Sequence, residues 1–143
     1  MNRITFFALL VLAMAPVHAA VWYVDIDNAS GTEDGTSWAT AFTAIQPAID
    51  AASAGDEVWV AEGTYTGVGA VAGGFGNVVV MKAGVCLYGG FNASETLRSE
   101  RSWQTSSVTI DAQNAGRCVY GADDTVLDGF HLTRGEFNSS SLD

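Results

Sequence analysis

Hydrophobic positions along the chain fall into an apolar leader, one helical stretch and a train of short strands. Ile4 to Ala15 is apolar almost throughout, behind Asn2 and Arg3, and Pro16 ends the run. Val17-His18-Ala19 then provides the small residues that a signal peptidase reads. The apolar core is shorter than the roughly 20 residues that a bilayer span requires. The pattern predicts a cleaved secretory signal over residues 1–19.

Beyond the leader, Trp22-Tyr23-Val24 is β-rich, and Asp25 to Ser37 is a polar loop containing Gly31 and Gly35. The period then changes. Ala41, Ala44, Ile45, Ala48, Ile49 and Ala52 recur at helical spacing, predicting an amphipathic helix from about Ala44 to Ser53. Thr43 and Gln46 have the spacing of a capping box. Pro47 must lie in the first turn, where its missing N–H costs least. Gly55 is suited to a left-handed position after the helix. Downstream, short apolar runs bounded by Gly, Asn, Asp or Ser predict strands: Val58 to Ala61, Val78 to Met81, Val85 to Tyr88, Val108 to Ile110, Cys118 to Tyr120, Val126-Leu127 and Phe130 to Thr133. Val71 to Gly76 reads as a loop. Val108 and Ile110 recur as Phe130 and Leu132, 22 residues later, a period suited to a stacked repeat. A further step of 22 back reaches Cys86 and Tyr88 across the polar insert Asn92–Gln104, where the register can slip by one residue.

Asp34-Gly35-Thr36-Ser37-Trp38, the helix from Ala44, and the stretch from Gly55-Asp56-Glu57-Val58 to Gly63-Thr64-Tyr65 occur in the order seen in one family. This order resembles the N-terminal cap and first rung of pectin-lyase-like right-handed parallel β-helix proteins. Val85 to Phe91 and Val126 to Phe130 are similar to later rungs. The resemblance extends over nearly all of the chain after residue 19, and its implied fold is an all-β solenoid with a short N-terminal capping helix. Residues 20–56 would form the cap and residues 57–143 the first coils. A bare first rung has unpaired strand groups, and an amphipathic helix laid across it would cover them. Ile45, Ile49 and Ala52 would face the coil, with Val58 and Val60 pointing inward. The rival β-sandwich does not account for a lone helix directly before the first strand. The 87 residues from Glu57 to Asp143 would make about four coils at this period. Phe137 to Asp143 lacks apolar periodicity, so an incomplete solenoid is expected, one that self-associates through an uncapped C-terminal coil.

Charge narrows the partners. Removing residues 1–19 from 143 leaves 124, and loss of Arg3 takes the formal charge from −10 to −11. So acidic a chain argues against nucleic acid and anionic lipid. Export past the membrane, to the extracellular space, the cell surface or the periplasm, is expected, without an integral membrane segment in the mature protein.

Candidate chemistry is sparse. Asp25, Asp27, Glu33 and Asp34 share one Gly-bearing loop with Asn28, and such oxygen ligands suit calcium. They equally suit turns, and the EF-hand spacing is absent. No other cofactor is indicated. Cys86 and Cys118 are the only cysteines; in an oxidising compartment they either pair or pack as buried thiols. Asp123, Asp124 and Asp128 read as corner residues rather than as the paired carboxylates of a glycosidase, because the Gly-His-Gly and Arg-Ile-Lys motifs of the polygalacturonase branch of the resembled superfamily are missing. Lyase chemistry needs a base, and Lys82, Arg98, Arg101, Arg117 and Arg134 lie in no lyase motif. His131 has outward parity and lies close to Arg134. The insert carries Trp103 among Glu95, Arg98, Glu100 and Arg101, either as a sugar-binding aromatic or as an anchor that folds the insert down. Ligand contact is therefore expected at His131, Arg134 and Trp103. Asn28, Asn92 and Asn138 begin glycosylation sequons.

Two functions follow as expectations. The first is a secreted or surface protein, non-catalytic, serving adhesion or polysaccharide binding. The alternative is the N-terminal part of a polysaccharide lyase or related enzyme acting on uronate polymers.

Overall fold

The computed structural model describes residues 19–136; the leader up to residue 18, the segment 137–143 and the Asn138 sequon lie outside it. Ten strands are formed: β1 (Val21–Val24), β2 (Glu57–Ala61), β3 (Gly63–Tyr65), β4 (Ala70–Ala72), β5 (Phe75–Val80), β6 (Cys86–Phe91), β7 (Val108–Asp111), β8 (Arg117–Tyr120), β9 (Val126–Asp128) and β10 (Phe130–Thr133). One α-helix, α1 (Ile45–Ala51), and two 3-10 turns (Trp38–Thr40, Arg98–Glu100) complete the described structure. The strands form three sheets, ordered β1-β2-β6-β9, β10-β7-β3 and β4-β5-β8.

This architecture overturns the expected right-handed parallel β-helix. The protein is a small domain of short strands in three mostly parallel sheets with one helix, and not an all-β solenoid of uniform coils. The offset between paired strands is not constant. Val108 pairs with Phe130, 22 residues on, as the apolar pattern predicts. Gly63, however, pairs with Val108 across 45 residues, and Glu57 pairs with Cys86 across 29. Cys86 pairs with Glu57 and Val126, so the earlier 22-residue step leads into a different sheet. The Gly-rich stretch read as a loop forms an antiparallel hairpin, β4 to β5, that breaks the parallel order.

The core explains the strand positions. Val58 and Val60 of β2, Leu87 of β6 and Val108 and Ile110 of β7 are fully buried, together with Ile45, Ala48, Ile49 and Ala52 of the helix segment. Each valine, leucine or isoleucine so removed from water contributes roughly 1.5–3 kcal/mol before entropy is counted, and each alanine less. Trp59 alternates outward on β2 yet is 5% exposed. It stacks on Phe91 at 4.7 Å and meets Tyr23 edge-on at 5.8 Å, while Trp38 lies against both Tyr23 and Phe91. An aromatic layer therefore covers the outer face of the first sheet.

The helix is shorter than predicted, and its cap differs. Ala44 occupies the N-cap without a side-chain hydrogen bond. Thr43 is taken by Glu33, which accepts from its N–H and its hydroxyl at 3.0 Å. Gln46 reaches across instead: Val80 N–H donates to its Oε1 at 2.8 Å, and its amide donates to Asp50. Pro47 is the third helical residue. The chain leaves the helix at Ala52, so Gly55, with φ +97°, serves a later turn. Among the described residues no helix is long and apolar enough to cross a membrane.

Candidate functional site

The insert after β6 is fastened at both ends, and it presents Trp103. At its start the buried Glu95 carboxylate accepts from the N–H of Asn92 at 2.9 Å, and the Glu95 carbonyl accepts from the Trp38 indole at 2.8 Å. Glu100 accepts from the N–H groups of Leu97 and Thr96, each at 2.8 Å; those bonds, Leu97 first, hold its carboxyl below the ordinary value. At its end Ser102 N–H donates to the Gly90 carbonyl at 2.7 Å. The Trp103 backbone lies so close to Gly90 that a Cβ there would meet the Trp103 nitrogen at 2.8 Å, and Gly90 has φ +96°. Glycine is required at this position for both reasons. The backbone is thus held down while the indole is turned outward, 56% exposed.

Arg98 and Arg101, which line a cleft together with Trp103, belong to a charged and aromatic cluster. Arg98 and Arg101 stand over the Tyr88 ring at 4.6 and 5.2 Å. Arg98 pairs with Glu57, and Arg101 with Asp128 at 2.7 Å and with the Gly89 carbonyl at 3.0 Å. Burial, with the Cys86 thiol and the Glu57 carboxylate adding to it, raises the Tyr88 phenol above its ordinary value despite the nearby Arg98. Trp103 contributes to the lining of two open clefts. One, of about 270 Å3, is lined by Trp103, Asp128, Gly129, Phe130 and His131. The other, of about 480 Å3, is lined by Leu97, Arg98, Ser99, Arg101 and Trp103.

The structure brings together two of the three expected contact residues. His131, exposed on β10, shares the smaller cleft with Trp103. Arg134, although exposed, lines neither of these clefts: its Nε donates to Asp111 Oδ1 at 2.8 Å and its Nη2 to the other oxygen. That hydrogen bond, before the ion-pair attraction, holds the Asp111 carboxyl below its ordinary value and raises the guanidinium. Trp103 does not act as a buried anchor; the backbone at Gly90 fulfils that role. The sequence reading missed Tyr88, which lies in an apolar run. Its signal was the parity that turns Tyr88 to the opposite face from the buried Leu87.

The acidic loop is occupied by its own donors. Asp25 accepts from Asp27 N–H at 3.0 Å, and Glu33 is bound to Thr43. Asp34 Oδ1 accepts from the Thr40 hydroxyl at 2.6 Å and from Thr36; the Thr40 bond is the main reason its carboxyl lies below the ordinary value. Among the described residues no group of three or more His, Cys, Asp or Glu side chains is disposed to hold a metal ion. Cys86 and Cys118 do not pair; both are free thiols, on strands of different sheets, and Cys118 donates to the Thr133 carbonyl at 3.1 Å.

No protein-family model matches the chain, and neither a curated protein nor a solved structure matches it. The resemblance to pectin-lyase-like proteins therefore rests on the sequence motifs alone.

Proposed function

We propose that this is an exported, non-catalytic protein that binds polysaccharide, as an adhesin or binding module, through the surface around Trp103. The observation that carries the reading is the exposed indole on a backbone pinned by Gly90. An amphipathic aromatic face, flanked by the donors of Arg98, Ser99 and His131, suits the apolar face and hydroxyl edges of a sugar ring. The test is retention on a panel of immobilised polysaccharides. At least one should retain the parent and release Trp103→Ala, with affinity falling about tenfold or more, while the melting temperature holds. Release of unsaturated product from a uronate polymer would instead make the protein a lyase.

Export is part of the same proposal. Ala20 N–H donates to Asp56 Oδ1 at 2.8 Å. Cleavage after Ala19 would convert this donor into an α-ammonium beside a buried carboxylate, a stronger, charge-assisted bond. Intact mass of the exported product should place its N-terminus at Ala20 or Val21; retention of Met1 would refute the leader.

Self-association also belongs to this proposal. Strands β8, β9 and β10 are each the last strand of a sheet among the described residues, and Val126, Leu127 and Leu132 are exposed there. Open edges with apolar side chains invite pairing. Light scattering of the purified protein should give a mass above one chain; a monodisperse monomer would contradict it.

A further inference from the structure

We propose that the Trp103 surface takes a linear polysaccharide running across both clefts, with the indole as the ridge between two sugar-binding positions. This rests on the carbohydrate-binding reading and specifies the ligand as an extended chain rather than a single sugar or chain end. Trp103 lines both clefts, so a chain stacked on it is within reach of the polar groups of each. Each side offers polar groups of its own: Arg98 and Ser99 in the larger cleft, His131 and Asp128 in the smaller.

An ion pair links the linings of the two clefts. Arg101 lines the larger cleft, and its ion pair with Asp128 joins it to the smaller one. Its side chain is 17% exposed, held by Asp128, the Gly89 carbonyl and the Tyr88 ring. A preformed lining lowers the ordering cost of binding, and a second sugar position joined covalently to the first binds at high effective concentration. A monosaccharide fills one cleft and forgoes that gain. A chain lying over the indole engages both.

Titration calorimetry with two ladders, cello-oligosaccharides and oligogalacturonides from dimer to hexamer, tests this. In one of them affinity should rise about tenfold or more with length and then level off. Arg98→Ala and His131→Ala, one for each cleft, should each weaken the hexamer about fivefold, with melting temperatures confirming the fold. If the dimer binds as tightly as the hexamer, or only one variant matters, a single cleft is used. That outcome overturns the two-cleft inference and leaves the carbohydrate reading standing. If neither ladder binds and the polysaccharide panel is also negative, both fall.

Discussion

Val60→Asp is expected to abolish folding. Val60 is fully buried in β2, paired to Val24 of β1 on one side and Gly89 of β6 on the other. A carboxylate confined in this apolar cluster would be ionised without a partner or protonated, at a cost of several kcal/mol. A small domain has about 5–15 kcal/mol in total, and loss of the valine packing adds to the deficit. Far-UV circular dichroism should lose the β signal, or the melting temperature should collapse. Thr64→Asp, on the exposed face of β3, should melt close to the parent. A Val60→Asp protein that melts like the parent would remove Val60 from the core.

Asp56→Ala should be the most damaging polar substitution. Asp56 is 8% exposed, and it accepts from Ala20 N–H at 2.8 Å, Ser53 N–H at 2.8 Å and the Trp22 indole at 3.2 Å. It thereby ties β1 to the turn that leads into β2. Truncation leaves three donors without their acceptor, a loss of about 3 kcal/mol. The same carboxyl sets a pH dependence. Burial pushes its pKa up, but the bonds from Ser53, Ala20 and Trp22 and the Lys82 charge outweigh burial and hold it below 3.8. A carboxyl whose folded value is depressed stabilises the fold above its unfolded value and loses that contribution as pH falls through the folded one. Asp34, Glu100 and Asp111 are depressed in the same sense. Melting temperature should therefore be flat near neutrality and drop below about pH 4. Asp56→Ala should show a shallower drop there; an unchanged acid profile would show that Asp56 is not one of the groups responsible.

Local periodicity was a good guide to elements and a poor one to their assembly. The alternation at Val58 and Val60, the helical spacing of Ile45, Ala48 and Ile49, and the Val108-to-Phe130 offset all reappear in the structure. Sheet membership did not, because parallel partners are joined by excursions of unequal length. Residues 70–77 fold back as an antiparallel hairpin, and 92–107 intervene between β6 and β7. The expected capping box failed because Glu33, ten residues before Thr43, competes for it. At the site, Trp103 was legible as an aromatic among charges. The loss of Arg134 to Asp111, 23 residues away, was not, since it depends on the pairing of β7 with β10.

The four tryptophans make the central claim directly measurable. The indole N–H groups of Trp22, Trp38 and Trp59 donate to Asp56, to the Glu95 carbonyl and to Glu57, whereas the Trp103 indole has no acceptor among the described residues and projects into solvent. A two-dimensional 15N spectrum should show four indole signals, with Trp103 assigned by its loss in Trp103→Phe. On titration with a polysaccharide that the protein retains, the Trp103 signal should shift or broaden with saturation while the other three stay in place. A bound polysaccharide that leaves the Trp103 indole unmoved would contradict the account.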